Sequence, residues 1–516
     1  MTTSAALALL LSLSAMGAEV VQTDKGAVEG TTSTDSKIRI FKGIPFAAPP
    51  VGDLRWKEPQ PVTSWTGVRK AVEFGPRCMQ TNVFGDMVFR DKGPSEDCLY
   101  LNVWTPAKTA DAHLPVMVWV YGGGFVAGAS SEPRQDGEKL AQKGVVVVSM
   151  NYRLGIFGFF ALPELAKESG HNAAGNYGLL DQAAALQWVQ RNISAFGGDP
   201  QNVTIFGESA GSFSVSALMA SPLSKDLLHR AIGESGAFFG KTLQAKSLAE
   251  SEEDGAKFAR ESLGTDSLAA LRAKPANQLQ AALKRADAFR FEPNIDGYFL
   301  PEPVSSIYAE GKQAHVPLLA GWNADEGSYH AIFQHEQPTA QNFVKWAHAH
   351  FGDKADELLK VYQAKDDAEA KRSAQDLAGD QFTGFSTWKW LQMQLATGDS
   401  PVYRYKFEDA PPAPANSTET ESHGAYHSAE IEFVFEALPS KKLPWRPQDR
   451  KLSDEMSSYW TNFAKTGDPN GDSLPKWPRY DKQDGYQVMH LNANSHAAPA
   501  QHMARYEFLD NTPSDK

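Results

Sequence analysis

The pentapeptide Gly207-Glu208-Ser209-Ala210-Gly211 decides how this chain is read. Ahead of it, Asn202-Val203-Thr204-Ile205-Phe206 is short, β-branched and apolar, as a buried strand is. Behind it, residues 212–219 (Ser-Phe-Ser-Val-Ser-Ala-Leu-Met) open a helix. Strand, Gly-x-Ser-x-Gly and helix together make a nucleophile elbow. The turn is tight enough to strain the serine backbone. It takes glycine on both sides because a side chain there would strike the neighbouring strand or helix. The hydroxyl then stands clear of the sheet at the positive end of a helix, where a developing oxyanion is favoured. A chance Gly-x-Ser-x-Gly in a loop is the alternative, and the flanking strand and helix argue against it.

Outward from the elbow the pattern is β then α. Val116-Met-Val-Trp-Val120 and Val145-Val-Val-Val-Ser-Met150 read as buried strands, with a short helix around 137–142 and an amphipathic helix over 179–195. Such alternation predicts an α/β fold, a central, mostly parallel sheet covered by helices on both faces. Ligands then sit at the carboxyl ends of the strands. Residues 20–28 and 38–41 read as strands of an opening antiparallel piece. Residues 243–287 and 338–395 are helical and charged, and read as solvated insertions over the site. Residues 453–466 form an amphipathic helix that ends at Gly467-Asp468-Pro469. Length alone, 516 residues, allows several domains. No linker interrupts the pattern, so residues 18–516 are expected to form one domain with insertions.

A hydrophobic share of 42% supports a large core. The net charge of −12 speaks against nucleic acid as a partner, which needs a cationic surface. The N-terminus carries Ala5-Ala-Leu-Ala-Leu-Leu-Leu-Ser-Leu-Ser-Ala15, too short to span a bilayer. Ala15-Met16-Gly17 then gives a small-x-small cleavage pattern, so residues 1–17 read as an export signal and the mature protein as periplasmic or secreted. The run lacks a preceding Lys or Arg, and a retained apolar helix is the alternative. No later stretch is long and apolar enough to anchor the chain in a membrane. Two cysteines, Cys78 and Cys98, in an exported chain suggest one disulfide. It would close a loop of about 20 residues and contribute roughly 3 kcal/mol by chain entropy. Two buried free thiols are the other reading.

A serine hydroxyl is a weak nucleophile. It needs a base, and the base needs an orienting acid. In this arrangement the order along the chain is Ser, then Asp or Glu, then His. The strand Val316-Pro-Leu-Leu-Ala-Gly-Trp-Asn323 ends in Ala324-Asp325-Glu326-Gly327, and the loop after Val402-Tyr-Arg-Tyr-Lys-Phe407 carries His423 and His427. Spacing leaves both choices open. The strand at 116–120 ends in Tyr121-Gly122-Gly123-Gly124-Phe125, where glycine lets backbone N–H groups approach a substrate oxygen. A phosphate loop is the rival, but neither Gly-x-Gly-x-x-Gly nor a following Lys-Ser/Thr is present.

At this point the chain resembles the type-B carboxylesterases, a family that holds cholinesterases, bile-salt-activated lipases, bacterial p-nitrobenzyl esterases and catalytically dead adhesion proteins. The likeness rests on Phe196-Gly-Gly-Asp-Pro-Gln-Asn-Val-Thr-Ile-Phe-Gly-Glu-Ser-Ala-Gly211 and Glu96-Asp-Cys-Leu-Tyr-Leu-Asn-Val103. Asn151-Tyr-Arg-Leu-Gly155, Gly175-Asn-Tyr-Gly-Leu-Leu-Asp-Gln182 and Tyr459-Trp-Thr-Asn-Phe-Ala464 extend it over nearly the whole mature chain. The resemblance implies an α/β-hydrolase fold. It picks Glu326 as the acid and His427 as the base, places oxyanion donors on Gly123, Gly124 and Ala210, and implies a Cys78–Cys98 disulfide. It also implies structural ion pairs Arg55–Glu96 and Arg153–Asp181. Glu208 and Ser235 are candidate supports of the triad. The disulfide loop holds Phe84 and Phe89 but no tryptophan, so a choline substrate is not expected. Phe238, Phe239, Phe289 and Phe291 are candidates for a substrate pocket.

The expected function is a serine carboxylic-ester hydrolase acting through an acyl-enzyme on a small or medium ester. No metal or cofactor is implied. The alternatives are a hydrolase specialised for a natural aromatic, lactone or polyester substrate, and a non-catalytic binding module on the same fold.

Overall fold

The computed structural model describes residues 19–240, 242–285, 290–414 and 424–512. The export signal at 1–17, His423 and Phe289 lie outside the described residues. Among the described residues one sheet of thirteen strands runs through the molecule. Its strands are β1 (Glu19–Gln22), β2 (Ala27–Thr32), β3 (Arg39–Pro45), β4 (Val68–Lys70), β5 (Tyr100–Thr105), β6 (Leu114–Val120), β7 (Val146–Met150), β8 (Gly198–Glu208), β9 (Arg230–Glu234), β10 (Leu318–Asn323), β11 (Val402–Phe407), β12 (Gln487–Leu491) and β13 (His496–Pro499). The order across the sheet is β1-β2-β3-β5-β7-β6-β8-β9-β10-β11-β12-β13, with β4 beside β2.

From β7 to β12 every pairing is parallel. The main run of antiparallel pairings lies on the N-terminal side, β1 to β5 and on to β7, and β13 closes the far edge antiparallel to β12. The central strands are continuous apolar runs because helices leave them no exposed face. Val116 to Val120 and Val146 to Met150 are wholly buried. The registers Phe206↔Trp119 and Glu208↔Glu234 bring the carboxyl ends of β6, β8 and β9 level, and the elbow leaves the sheet there.

Helix α1 (Tyr177–Asn192) packs against β8. Helix α2 (Ala210–Ala220) follows the elbow and packs on β8 and β9. The two charged stretches are less solvated than expected. In the first, Leu248–Leu263, Leu268–Ala273 and Ala276–Arg285 are helices whose Phe258, Leu271 and Leu279 join the main core. In the second, α3 (Asp367–Gly379) and α4 (Phe385–Thr397) are joined by a wider turn at Asp380–Gly384. Around α3 a second apolar cluster gathers Phe343, Leu358, Ala370 and Leu377. The charges sit between apolar residues at helical spacing, so each helix buries one stripe and wets the other. The C-terminal amphipathic helix, α5 (Pro447–Thr466), begins earlier than residue 453, with Pro447 in its first turn, where the missing N–H costs nothing. It packs on β6 and β8, and stops at Gly467 in the left-handed conformation.

Cys78 and Cys98 form a disulfide with Cα atoms 4.9 Å apart. Both expected ion pairs are made. Arg55 binds Glu96 through two contacts of 2.6 and 2.7 Å, and Arg153 binds Asp181 through two of 2.8 Å. The planar guanidinium forks match the carboxylates, which lets such charges be buried. No helix of the described residues is long and apolar enough to cross a membrane.

Candidate active site

Ser209 sits between β8 and α2 with φ 54° and ψ −125°, a strained combination for a residue with a side chain. The strain is locked from three directions. The Ser209 N–H donates to the Glu234 carbonyl (2.8 Å), and its own carbonyl accepts from Phe213 (2.9 Å). A Cβ at Gly211 would lie 2.0 Å from the Val120 carbonyl oxygen, so α2 could not approach β6 this closely with any other residue there.

The imidazole of His427 reaches Ser209 Oγ through Nε2 at 2.9 Å, across 218 residues of sequence. Its Nδ1 meets Glu326 Oε2 at 2.6 Å. The other oxygen of Glu326 accepts from the Asn323 backbone N–H (2.8 Å) and from Ser235 Oγ (2.5 Å), so the carboxylate is fixed on both sides. The neighbouring Asp325 points elsewhere. Its carboxylate accepts from Ala425 N–H (2.8 Å) and from Gln375 Nε2 (2.9 Å), and its backbone N–H donates to the Ala425 carbonyl (3.0 Å). Asp325 thus ties down the loop that carries His427, and Glu326 meets the ring. Asn323 adds a second tie, its Nδ2 donating to the Tyr426 carbonyl (2.8 Å) and to Glu430 (2.5 Å).

Glu208, beside the serine, is buried, and its Oε1 lies 3.2 Å from His427 Nε2. Burial pushes the Glu208 carboxyl up to about 7, against the pull of His427 and Arg134. Burial favours the neutral form of His427, but Glu208 and then Glu326 more than offset it and raise its pKa. Glu430, three residues after His427, is raised to about 8 by burial, with Glu208 and Glu326 adding repulsion. Glu234 is raised well above the carboxylate range by burial and by Glu430, while Trp460 Nε1 donates to it at 2.7 Å. Glu208, Glu430 and Glu234 thus hold protons at a pH where isolated carboxyls would have lost them.

The glycine run lies opposite. Gly123 and Gly124 have φ 107° and 61° and are partly exposed. Ala210 is the first residue of α2, where backbone N–H groups have no acceptor within the helix. Phe382, on the wide turn Asp380–Gly384, sets its ring edge-on to His427 with centroids 4.8 Å apart.

Several of these residues were not legible as site residues. Asn323 and Phe382 act through contacts across 103 residues or across a wide turn, and no local pattern marks them. Asp325 was an open candidate for the acid, but its tie to Ala425 is not written in adjacent residues. Glu430 follows His427 by three residues through a turn in which Ser428 has φ 68°. Of the candidate pocket aromatics, Phe291 is core, packed on Phe160 and Phe258. Phe238 is nearly buried between Phe125 and Phe213, and Phe239 is half-buried against Tyr308.

With this geometry in place, the relatives of the chain can be set beside it. The model of the carboxylesterase family matches residues 17–509. The chain is 40% identical over 483 residues to a fumonisin B1 esterase of Sphingopyxis macrogoltabida, covering 90% of this chain and 85% of the relative. It is 38% identical over 487 residues to the para-nitrobenzyl esterase of Bacillus subtilis, covering 90% and 93%. A solved PNB esterase superposes with a TM-score of 0.82 at 34% identity, covering 96% of this chain and all of that one. The chain belongs to the carboxylesterase family. It has the α/β-hydrolase fold and is a carboxylic-ester hydrolase.

Proposed function

We propose that Ser209, His427 and Glu326 carry out the hydrolysis, through an acyl-enzyme on Ser209. The observation that carries this reading is the unbroken chain Ser209 Oγ–His427 Nε2 (2.9 Å) and His427 Nδ1–Glu326 Oε2 (2.6 Å) beside the strained elbow. His427 takes the hydroxyl proton as Ser209 attacks the ester carbonyl. Glu326, anchored by Asn323 and Ser235, keeps Nδ1 protonated and stabilises the imidazolium. In its ionised form Glu208 adds a second negative charge near Nε2, which makes the ring a stronger proton acceptor. The N–H groups of Gly123, Gly124 and Ala210 receive the oxyanion. The alcohol leaves with the proton from His427, and a water deprotonated by the same ring releases the acid. Titration with an organophosphate tests the assignment. Wild type is expected to take up one equivalent on Ser209 with loss of activity, and Ser209→Ala none. Full labelling of the variant would refute it.

Residues 18–516 are proposed to work as one unit and residues 1–17 to direct export to the periplasm or beyond. The formed Cys78–Cys98 disulfide supports an oxidising compartment. N-terminal sequencing of the exported protein should begin at Ala18; a chain still beginning at Met1 would reject the cleavage. A second reading, a hydrolase specialised for one natural ester, draws support from the 40% identity to a protein named fumonisin B1 esterase. A panel of esters with varied acyl and alcohol parts separates it from broad esterase activity.

A further inference from the structure

The oxyanion arch has a cation beside it that the hydrolysis as proposed does not use. Among the described residues, a Cβ built on Gly124 would meet only two side chains within 4 Å, Arg290 Nη2 at 3.8 Å and Val126 at 3.9 Å. The guanidinium of Arg290 therefore lies against the open side of the glycine that is proposed to hold the ester oxygen. Its position is built in from behind. The next residue, Phe291, is buried with its ring packed on Phe160 and Phe258 at centroid distances of 5.4 and 5.2 Å. Three residues further on, Asn294 is buried and exchanges hydrogen bonds with Asn176.

Arg290 Nε faces Glu292 Oε1 at 3.0 Å, and Lys246 stands near the same carboxylate. The two Nη groups make no hydrogen bond to the described residues, and the side chain is 62% exposed. A guanidinium held at one edge by a carboxylate presents its other edge as a two-pronged donor, which fits a second carboxylate. The need for such a group follows from charge. The chain carries −12 overall, and the carboxyl groups of Glu326 and Glu208 lie against His427 beside the serine. An anionic substrate approaching that site meets repulsion unless a local cation offsets it.

We propose that Arg290 is a specificity-determining residue that selects esters bearing a free carboxylate, which it binds beside the Gly124 end of the oxyanion arch. This rests on the Ser209 mechanism above. The carboxylate can come from the acyl half, as in the half-ester of a dicarboxylic acid, or from the alcohol half, and the two sources are told apart by substrate.

The test compares kcat/KM for matched charged and neutral esters in wild type, Arg290→Ala and Arg290→Lys. Monoethyl glutarate against ethyl pentanoate probes the acyl side. The acetate ester of 4-hydroxybenzoate against 4-tolyl acetate probes the alcohol side. Arg290→Ala is expected to lower kcat/KM for the charged ester of one pair by about tenfold to a hundredfold, mainly through KM. The neutral partner and the organophosphate titre should stay as in wild type, and Arg290→Lys should recover part of the loss. Added salt should weaken the preference in wild type and leave Arg290→Ala unaffected. A charged-to-neutral ratio unchanged by Arg290→Ala in both pairs overturns the proposal. So does an equal fall for charged and neutral esters, which would mark Arg290 as structural. Loss of Ser209 labelling in wild type would instead fault the mechanism beneath it.

Discussion

The two halves of the site are held in place by different means. The proposed nucleophile side is local: strand, tight turn and helix within residues 198–220, fixed by sheet register and by a helix that can close on β6 only because residue 211 is glycine. The acid–base side is not. Glu326 leaves the end of β10, His427 sits on an irregular loop, and their meeting depends on side-chain ties. Asp325 holds Ala425, Asn323 holds Tyr426 and Glu430, and Ser235 holds Glu326. The first half is shaped by sterics, which tolerate no added atom. The second is shaped by buried hydrogen bonds, each worth roughly 1 kcal/mol net but dearer when one partner is left unpaired.

That contrast orders the outcomes of mutation. The largest effect on turnover belongs to the contact that orients His427 toward Ser209, its bond to Glu326. Glu326→Gln keeps the shape but removes the charge facing Nδ1, and should cut kcat by on the order of 10⁴-fold with the fold retained, as read by steady-state kinetics and circular dichroism. Gly211→Ala should break the nucleophile side outright, because its Cβ has no room at 2.0 Å from the Val120 carbonyl oxygen. The expected reading is loss of soluble protein or of organophosphate titre. A stable, fully active Gly211→Ala would show that the steric account of that half is wrong.

Smaller effects sharpen the other half. Glu208 is the leading cause that raises the His427 pKa, so Glu208→Gln should move the acidic limb of kcat/KM to lower pH. Glu430 works on stability with the opposite sign. Its carboxyl is raised to about 8 in the fold from about 4.5 unfolded, so it costs stability as pH climbs through that window. Glu430→Gln removes that cost, and its melting temperature should gain on wild type between pH 5 and pH 9. A gain that is flat with pH would contradict the raised carboxyl. The smallest effect is expected at Phe382, where Leu removes the ring edge that steadies His427 (4.8 Å) and should lower kcat by less than about tenfold.

Legibility in the sequence follows the same division. The elbow, the glycine run and the strands at 116–120 and 402–407 were all readable, because each is a contiguous pattern whose chemistry is written in adjacent residues. The helical insertions were readable as helices but not as packed ones, since Phe258 and Leu377 are single apolar positions among charges. The choice between Asp325 and Glu326 could not be made from spacing. Both follow the same strand end; the family resemblance picks Glu326, and the fold shows one carboxylate turned to Ala425 and the other to His427. Strands β4, β9, β12 and β13 were missed, and β4 is three exposed residues on the sheet's edge. β9 runs into Glu234, a charge that masks a buried strand end, and β12 and β13 are short and broken by polar residues.

The central claim is that Ser209 and His427 act as one unit although they come from halves built in different ways. The kinetics of Ser209→Ala, His427→Ala and the double variant on one neutral ester test it most directly. The account predicts that the double variant is no slower than either single one, because each alone already disables the pair. Losses that multiply in the double variant would contradict it and mean that the two side chains contribute separately.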